Sequence, residues 1–177
     1  SLKKNVSNLA DFKNTNLSSL TACILNRPRH KKIIDELKEL KVNIRLITDG
    51  DVAGVMHCAE SEKTGIDIYM GSGGAPEGVL AAAALKCMGG QIQGRLTFRN
   101  DDEKKRAYSA GITDLNKIYS RDEMVMSDVI FAATGVTDGS LLNGVRRSSN
   151  FIETDTMLMR SRTGSVRRLN YRQKINR

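Results

Sequence analysis

Tryptophan is absent from these 177 residues, and there are only four tyrosines and four phenylalanines. Single-stranded nucleic acid is usually held by aromatic faces that stack on bases, so this shortage weighs against that class of partner. The three cysteines, Cys23, Cys58 and Cys87, are odd in number, far apart and without a Cys-x-x-Cys pair, which does not suit a disulfide framework. All three sit among small or apolar neighbours and read as reduced, mostly buried thiols of a cytoplasmic protein. No apolar run approaches the roughly 20 residues that a membrane helix needs. The first residues, Ser1-Leu2-Lys3-Lys4, have neither the apolar stretch of a secretory signal nor an initiator methionine, so a tagged, processed or truncated chain is expected.

What is present is enough for one domain with a real core, with 40% apolar residues and a net charge of +8. The charge is uneven. From Arg146 to Arg177 there are nine Lys and Arg against Glu153 and Asp155, so this stretch carries +7 of the total. Such a tail suggests a nucleic-acid surface. It also suits a solvated strand face, or a surface that receives an anionic ligand or a subunit, and its only aromatics are Phe151 and Tyr171.

Along the chain, residues 1–19 are polar with a weak apolar pattern and read as an approach segment or a short helix. Leu20 to Leu25 is a buried strand candidate. Ile33, Ile34, Leu37 and Leu40 recur at helical spacing among Lys and Glu. Val42 to Ile47 is the next strand, followed by a short helix from Val52 to about Ala59. Ile66 to Met70 is a third strand and Val79 to Met88 an Ala-rich buried helix that Gly89-Gly90 stops. Gln91 to Phe98 alternates and reads as a fourth strand. This order predicts an α/β fold with a mostly parallel sheet flanked by helices. Asp101 to Ala110 reads as a surface helix, Val129 to Ala133 as a strand, and Asn150 to Leu169 as added antiparallel strands.

Ligands of open α/β sheets bind where strands end and helices begin, and three loops meet that condition. Gly71-Ser72-Gly73-Gly74-Ala75-Pro76-Glu77-Gly78 lets backbone N–H groups face an anion at a helix start. Without a closing Gly-Lys-Ser/Thr it is not a nucleotide P-loop, and glycines also serve simply to make tight turns. Glu77 in such a cradle repels a phosphate unless a divalent cation lies between them; alternatively it complements the helix dipole. Asp49-Gly50-Asp51 offers two carboxylates for sugar hydroxyls or a metal, or else Asp51 is a helix N-cap. Arg27-Pro28-Arg29-His30 presents two guanidinium forks that suit phosphate oxygens, or else surface salt bridges. His30 and His57, the only histidines, each lie near one of these turns; with no third ligand in view, neither is assigned to a metal. The set suits a phosphorylated polyol better than a dinucleotide.

Arg27-Pro28-Arg29-His30, Asp49-Gly50-Asp51-Val52-Ala53 and Gly73-Gly74-Ala75-Pro76-Glu77-Gly78-Val79, in this order and spacing, resemble the class II fructose-1,6-bisphosphatases. Ala81-Ala82-Ala83 with Leu85-Lys86-Cys87 and Gly89-Gly90, and Ile130 to Gly135, are similar to that family too, so the resemblance runs from about Leu20 to Leu169. It implies the layered α/β/α/β/α fold of the lithium-sensitive phosphatases. Residues 1–19 would then be a connecting segment, and 20–177 the C-terminal α/β domain with its mostly parallel sheet. It further implies hydrolysis of the 1-phosphate of fructose 1,6-bisphosphate in gluconeogenesis, with Mn2+ or Mg2+ required. Glu77 is then a metal ligand, while Arg27, Pro28, Arg29, Asp49, Gly50, Asp51 and Gly74 line the substrate site. The partners implied are the bisphosphate, further copies in a homo-oligomer, and an N-terminal half. That half carries most metal ligands, the residue that orients the attacking water and a substrate tyrosine. Neither a nucleic acid nor a membrane is implied. This chain alone is therefore expected to be inactive. The alternative is a non-catalytic α/β module that binds a phosphorylated metabolite without a divalent cation.

Overall fold

The computed structural model describes residues 1–175; Asn176 and Arg177, the end of the basic tail, lie outside the described residues. The chain opens with α1 (Leu2–Phe12), capped by the Ser1 hydroxyl. Three βα repeats follow: β1 (Thr21–Leu25) and α2 (Lys31–Glu39), β2 (Asn43–Ile47) and α3 (Asp51–Cys58), then the one-turn α4 (Ser61–Thr64), β3 (Ile68–Tyr69) and α5 (Ala75–Met88). These strands make a parallel sheet in the order β2-β1-β3, with β1 in the centre. Central position explains burial: Ala22, Cys23 and Ile24 of β1 are fully buried, as the unbroken apolar run predicts.

One side of this sheet is covered by α1 and α2. Val6, Ala10, Leu20, Ala22, Ile24, Leu37 and Val42 form one core there. The approach segment is thus packed helix over much of its length, and it is tied at its far end. Lys13 pairs with Asp67, whose other carboxylate oxygen accepts the backbone N–H of Thr21 at 2.8 Å. The Asp67 backbone N–H also donates to the Thr21 carbonyl at 2.9 Å, so this residue ties the start of β3 to β1 with both backbone and side chain.

Past Gly89, which caps α5 in the left-handed region at φ +80°, the chain leaves the parallel sheet. The strand expected over Gln91 to Phe98 shrinks to β4 (Gln93–Arg95). It does not join the parallel sheet; it pairs antiparallel with β5 (Ile118–Ser120). Between them lies α6 (Asp101–Ser109), and α7 (Arg121–Met124) follows behind a Ser120/Glu123 capping box. The last sheet is wholly antiparallel. In it β6 (Ile130–Thr134) and β7 (Arg146–Arg147) lie on one side of β8 (Phe151–Arg160), and β9 (Ser165–Lys174) lies on the other.

The alanines of α5 let that helix sit between the two sheets. Ala81 and Leu85 pack with Val55 of α3, while Ala84 and Cys87 pack with Met56, Phe131, Met157 and Met159. Four layers result: helices, parallel sheet, helices, antiparallel sheet. The outer face of the antiparallel sheet carries Ile130, Leu169 and Tyr171 at 70%, 49% and 60% exposure. Among the described residues β9 pairs only with β8. Its exposed side chains include Arg167, Arg168, Arg172 and Lys174. All three cysteines are free thiols, with Cys23 and Cys87 buried. No helix of the described residues is long and apolar enough to cross a membrane.

Candidate functional site

Strand order 2-1-3 places a topological switch point between β1 and β3, since the chain runs from β1 to one neighbour and returns past it to the other. Ligand clefts of open α/β sheets form at such points, outside the carboxyl ends of the strands. The three loops read from the sequence all emerge there: Arg27 to His30 after β1, Asp49 to Asp51 after β2, Gly71 to Gly74 after β3.

The structure joins the first and third of these loops directly. His30 is fully buried. Its Nδ1 lies 2.8 Å from the Leu25 carbonyl and its Nε2 accepts the Ser72 N–H at 2.9 Å. These two bonds assign the proton to Nδ1, so the ring is a donor to one loop and an acceptor from the other. Arg29 donates its Nε to the Ser72 carbonyl at 2.9 Å. The residue is otherwise exposed. Pro28 sits in the first turn of a short 3-10 segment, Pro28–His30, that turns the chain into α2. Arg27 is exposed and its side chain, among the described residues, bonds only the Asn26 carbonyl, at 3.3 Å. An open hollow of about 890 Å³ adjoins this turn, lined by Pro28 and Arg29 together with Lys31, Lys32, Asp35, Glu36 and Glu39.

The second loop approaches the third through Asp51. Gly50 adopts φ +76°, a conformation that side chains disfavour, and it is Gly50 rather than Asp51 that occupies the N-cap of α3. Asp51 is the first helical residue; its Oδ1 accepts the Val52 N–H at 2.9 Å. Its Oδ2 lies 3.4 Å from where a side chain on Gly73 would begin. Asp49 is exposed and accepts the Gly50 N–H at 2.8 Å. Glu77, in the first turn of α5, folds back so that its carboxylate fills the space a Gly74 side chain would need. Among the described residues the N–H groups of Gly73 and Gly74 meet no acceptor.

Sequence reasoning left His30 without a role and did not single out Tyr69. The Tyr69 ring lines the same corner, and its hydroxyl lies 3.4 Å from the side-chain position of Gly71. Burial, reinforced by the Asp51 charge, pushes that hydroxyl up to about 12. No sequence signal identified His30, because its bond to Ser72 depends on a partner 42 residues away. His57 lies elsewhere. Its Nε2 is 2.9 Å from the Ser140 hydroxyl, and burial and the Arg45 charge lower its pKa. The Thr134 to Gly144 loop is held by two aspartates. Asp155 accepts the N–H and side-chain amide of Asn143 at 2.9 and 3.1 Å, and Asp138 accepts the Gly144 N–H at 2.8 Å.

For a divalent cation the donors are few. Mg2+ takes near-octahedral oxygen ligands. Glu77 and Asp51 border the glycine loop, but among the described residues no three His, Cys, Asp or Glu side chains gather to hold a metal. The side chains of this chain do not make a complete site for Mg2+ or Mn2+.

A parallel sheet and an antiparallel sheet sharing one helical layer, with cationic, acidic and glycine-rich loops at the switch point, is the arrangement of a sugar-phosphatase α/β fold. The family model for the bacterial, glpX-encoded fructose-1,6-bisphosphatases matches residues 1–173, and the chain belongs to that family. It is 35% identical over 180 residues to the D-fructose 1,6-bisphosphatase class 2/sedoheptulose 1,7-bisphosphatase of Synechocystis, an alignment covering 94% of this chain and 52% of that protein. The fructose-1,6-bisphosphatase class 2 of Haemophilus influenzae is 35% identical over 182 residues, covering 95% and 54%. A Trichodesmium erythraeum protein with the same name as that of Synechocystis is 34% identical over 180 residues, covering 94% and 52%. The chain spans about half the length of these curated relatives.

Proposed function

We propose that this chain supplies the substrate-binding half of an enzyme that hydrolyses the 1-phosphate of fructose 1,6-bisphosphate, giving fructose 6-phosphate and phosphate. The observation that carries this reading is the meeting of the β1, β2 and β3 loops at one switch point, with Arg29 and Asp51 against a glycine cradle that ends in Glu77. In this reading Arg27 and Arg29, set by Pro28, bind phosphate oxygens through their forks. Asp49 and Asp51 accept sugar hydroxyls, with Gly50 giving the turn that presents them. Gly74 leaves room for close approach. Glu77 is one ligand of a divalent cation, Mn2+ or Mg2+, whose further ligands come from outside this chain. Such a cation, when bound, neutralises charge on the phosphoryl group.

The test is phosphate release from fructose 1,6-bisphosphate with manganese. It compares this chain alone with this chain plus the portion of the Haemophilus influenzae relative that it does not match. Release only from the combined sample is expected. Full activity from the 177 residues alone would refute the half-site argument. Sedoheptulose 1,7-bisphosphate, which appears in the names of two relatives, belongs in the same assay as a second substrate. The reading of a non-catalytic module for a phosphorylated metabolite draws on the incomplete cation site. Metal-independent binding of the bisphosphate, with no release in either sample, would favour it.

A further inference from the structure

We propose that His30 is a positioning residue. It clamps the arginine turn to the glycine loop, so that Arg29 and the free amides of Gly73 and Gly74 face an anion as one surface. The inference rests on the phosphate site proposed above and adds a residue that acts on it without touching the ligand.

Geometry carries the argument. The two loops leave adjacent parallel strands and have no backbone ladder between them beyond Ala22↔Ile68 and Cys23↔Tyr69. Past that point the Met70 N–H bonds the Cys23 carbonyl at 3.1 Å. After it the links are side-chain ones: His30 to the Ser72 N–H, and Arg29 to the Ser72 carbonyl. Ser72 is thus gripped on both its donor and its acceptor. Gly71 packs beside the imidazole, its side-chain position lying 3.4 Å from Cε1 and Nε2 of the ring, in van der Waals contact. The ring is fully buried and its other nitrogen is anchored to the last carbonyl of β1, so it has little freedom to swing. Without this bond the Ser72 N–H loses its acceptor. The peptide is then free to rotate, and the Arg29 tie to the Ser72 carbonyl turns with it. An anion site of rigid donors binds better than one whose donors must first be ordered.

The two nitrogens can be replaced one at a time. In His30→Gln the side-chain oxygen stands near Nε2 and keeps an acceptor for Ser72. In His30→Asn the amide stands near Nδ1, keeps the donor to Leu25 and loses the Ser72 bond. The readouts, on the 177-residue chain, are hydrogen exchange of the Ser72 amide and the Kd for inorganic phosphate. A shift in thermal unfolding common to both variants reports structural cost alone. Expected is exchange at Ser72 at least about tenfold faster in His30→Asn, with phosphate bound several-fold more weakly and both restored in His30→Gln. Unchanged exchange in His30→Asn would overturn the clamp. Faster exchange with unchanged phosphate affinity would overturn its positioning role, as would a wild-type chain that binds no phosphate. Phosphate affinity is read apart from hydrolysis, so phosphate binding without bisphosphate turnover in the combined sample would refute the proposed function and leave this inference intact.

Discussion

Gly74→Ala separates the site from the fold. The backbone at Gly74 has φ −68° and ψ 149°, which alanine adopts freely. Its methyl group would land on the Glu77 carboxylate, with Cδ only 3.1 Å away. The obstacle is the end of an exposed, flexible side chain, so Glu77 swings aside and the backbone stays in place. The stability cost is then that of a poorer N-cap, about 1 kcal/mol or less, or a fall in Tm of roughly 2–4 °C for a chain of this size. The functional cost is larger, because the carboxylate must move by about 1 Å or more, and a misplacement of that size costs roughly a hundredfold in rate. Turnover in the combined sample and thermal unfolding of this chain give the two numbers. If Gly74 acts by making room for Glu77, the double variant with Glu77→Gln is no worse than Glu77→Gln alone. Full turnover in Gly74→Ala, or losses that multiply in the double variant, would refute the reasoning.

Other outcomes follow from the same geometry. Arg29→Ala should mainly raise the Michaelis constant for the bisphosphate in the combined sample, since it removes a phosphate contact; an unchanged constant returns the turn to a structural role. Met159→Ala removes a fully buried side chain from the core between α5 and the antiparallel sheet. It should cost about 2–5 kcal/mol in urea unfolding, and a loss below 1 kcal/mol would mean that this core is loosely packed. High pH should destabilise the chain. Burial pushes Cys58 and Tyr69 up to about 12 from ordinary values of 9.0 and 10.0, and raises Cys23 and Cys87. The unfolded chain therefore releases these protons first, so the stability they confer is complete below about pH 9 and is lost as pH rises towards 12. A urea midpoint at pH 10.5 equal to that at pH 8 would contradict this.

The βα loops were legible because each ends a strand with residues that cannot continue it: Pro28 after β1, Gly50 after β2, four glycines after β3. The parallel sheet followed from the alternation. The fourth strand was misread because Gln91 to Phe98 alternates without a partner in view, and a two-residue period says nothing about which sheet a strand joins. The helix at residues 2–12 was half-visible, since Leu2, Val6 and Leu9 share a face while Phe12 is 88% exposed. Asp51 was offered as a cap by the usual preference. Here the left-handed turn at Gly50 takes the cap position and frees the carboxylate towards Gly73. The His30 clamp was invisible, because it joins residues brought near only when two crossovers have closed.

The outer edge of β9, unpaired among the described residues, has a consequence for any meeting of two copies of this chain. A ten-residue edge with apolar side chains half exposed is a template for pairing with another such edge. Arg167, Arg168, Arg172 and Lys174 make that approach a meeting of like charges, and the repulsion reaches about 10 Å at 0.1 M salt but only about 3 Å at 1 M. Any pairing of copies along this edge would therefore be set by ionic strength: dilute buffer would keep the strands apart, and concentrated salt would remove the guard while leaving the hydrogen-bonding groups in place.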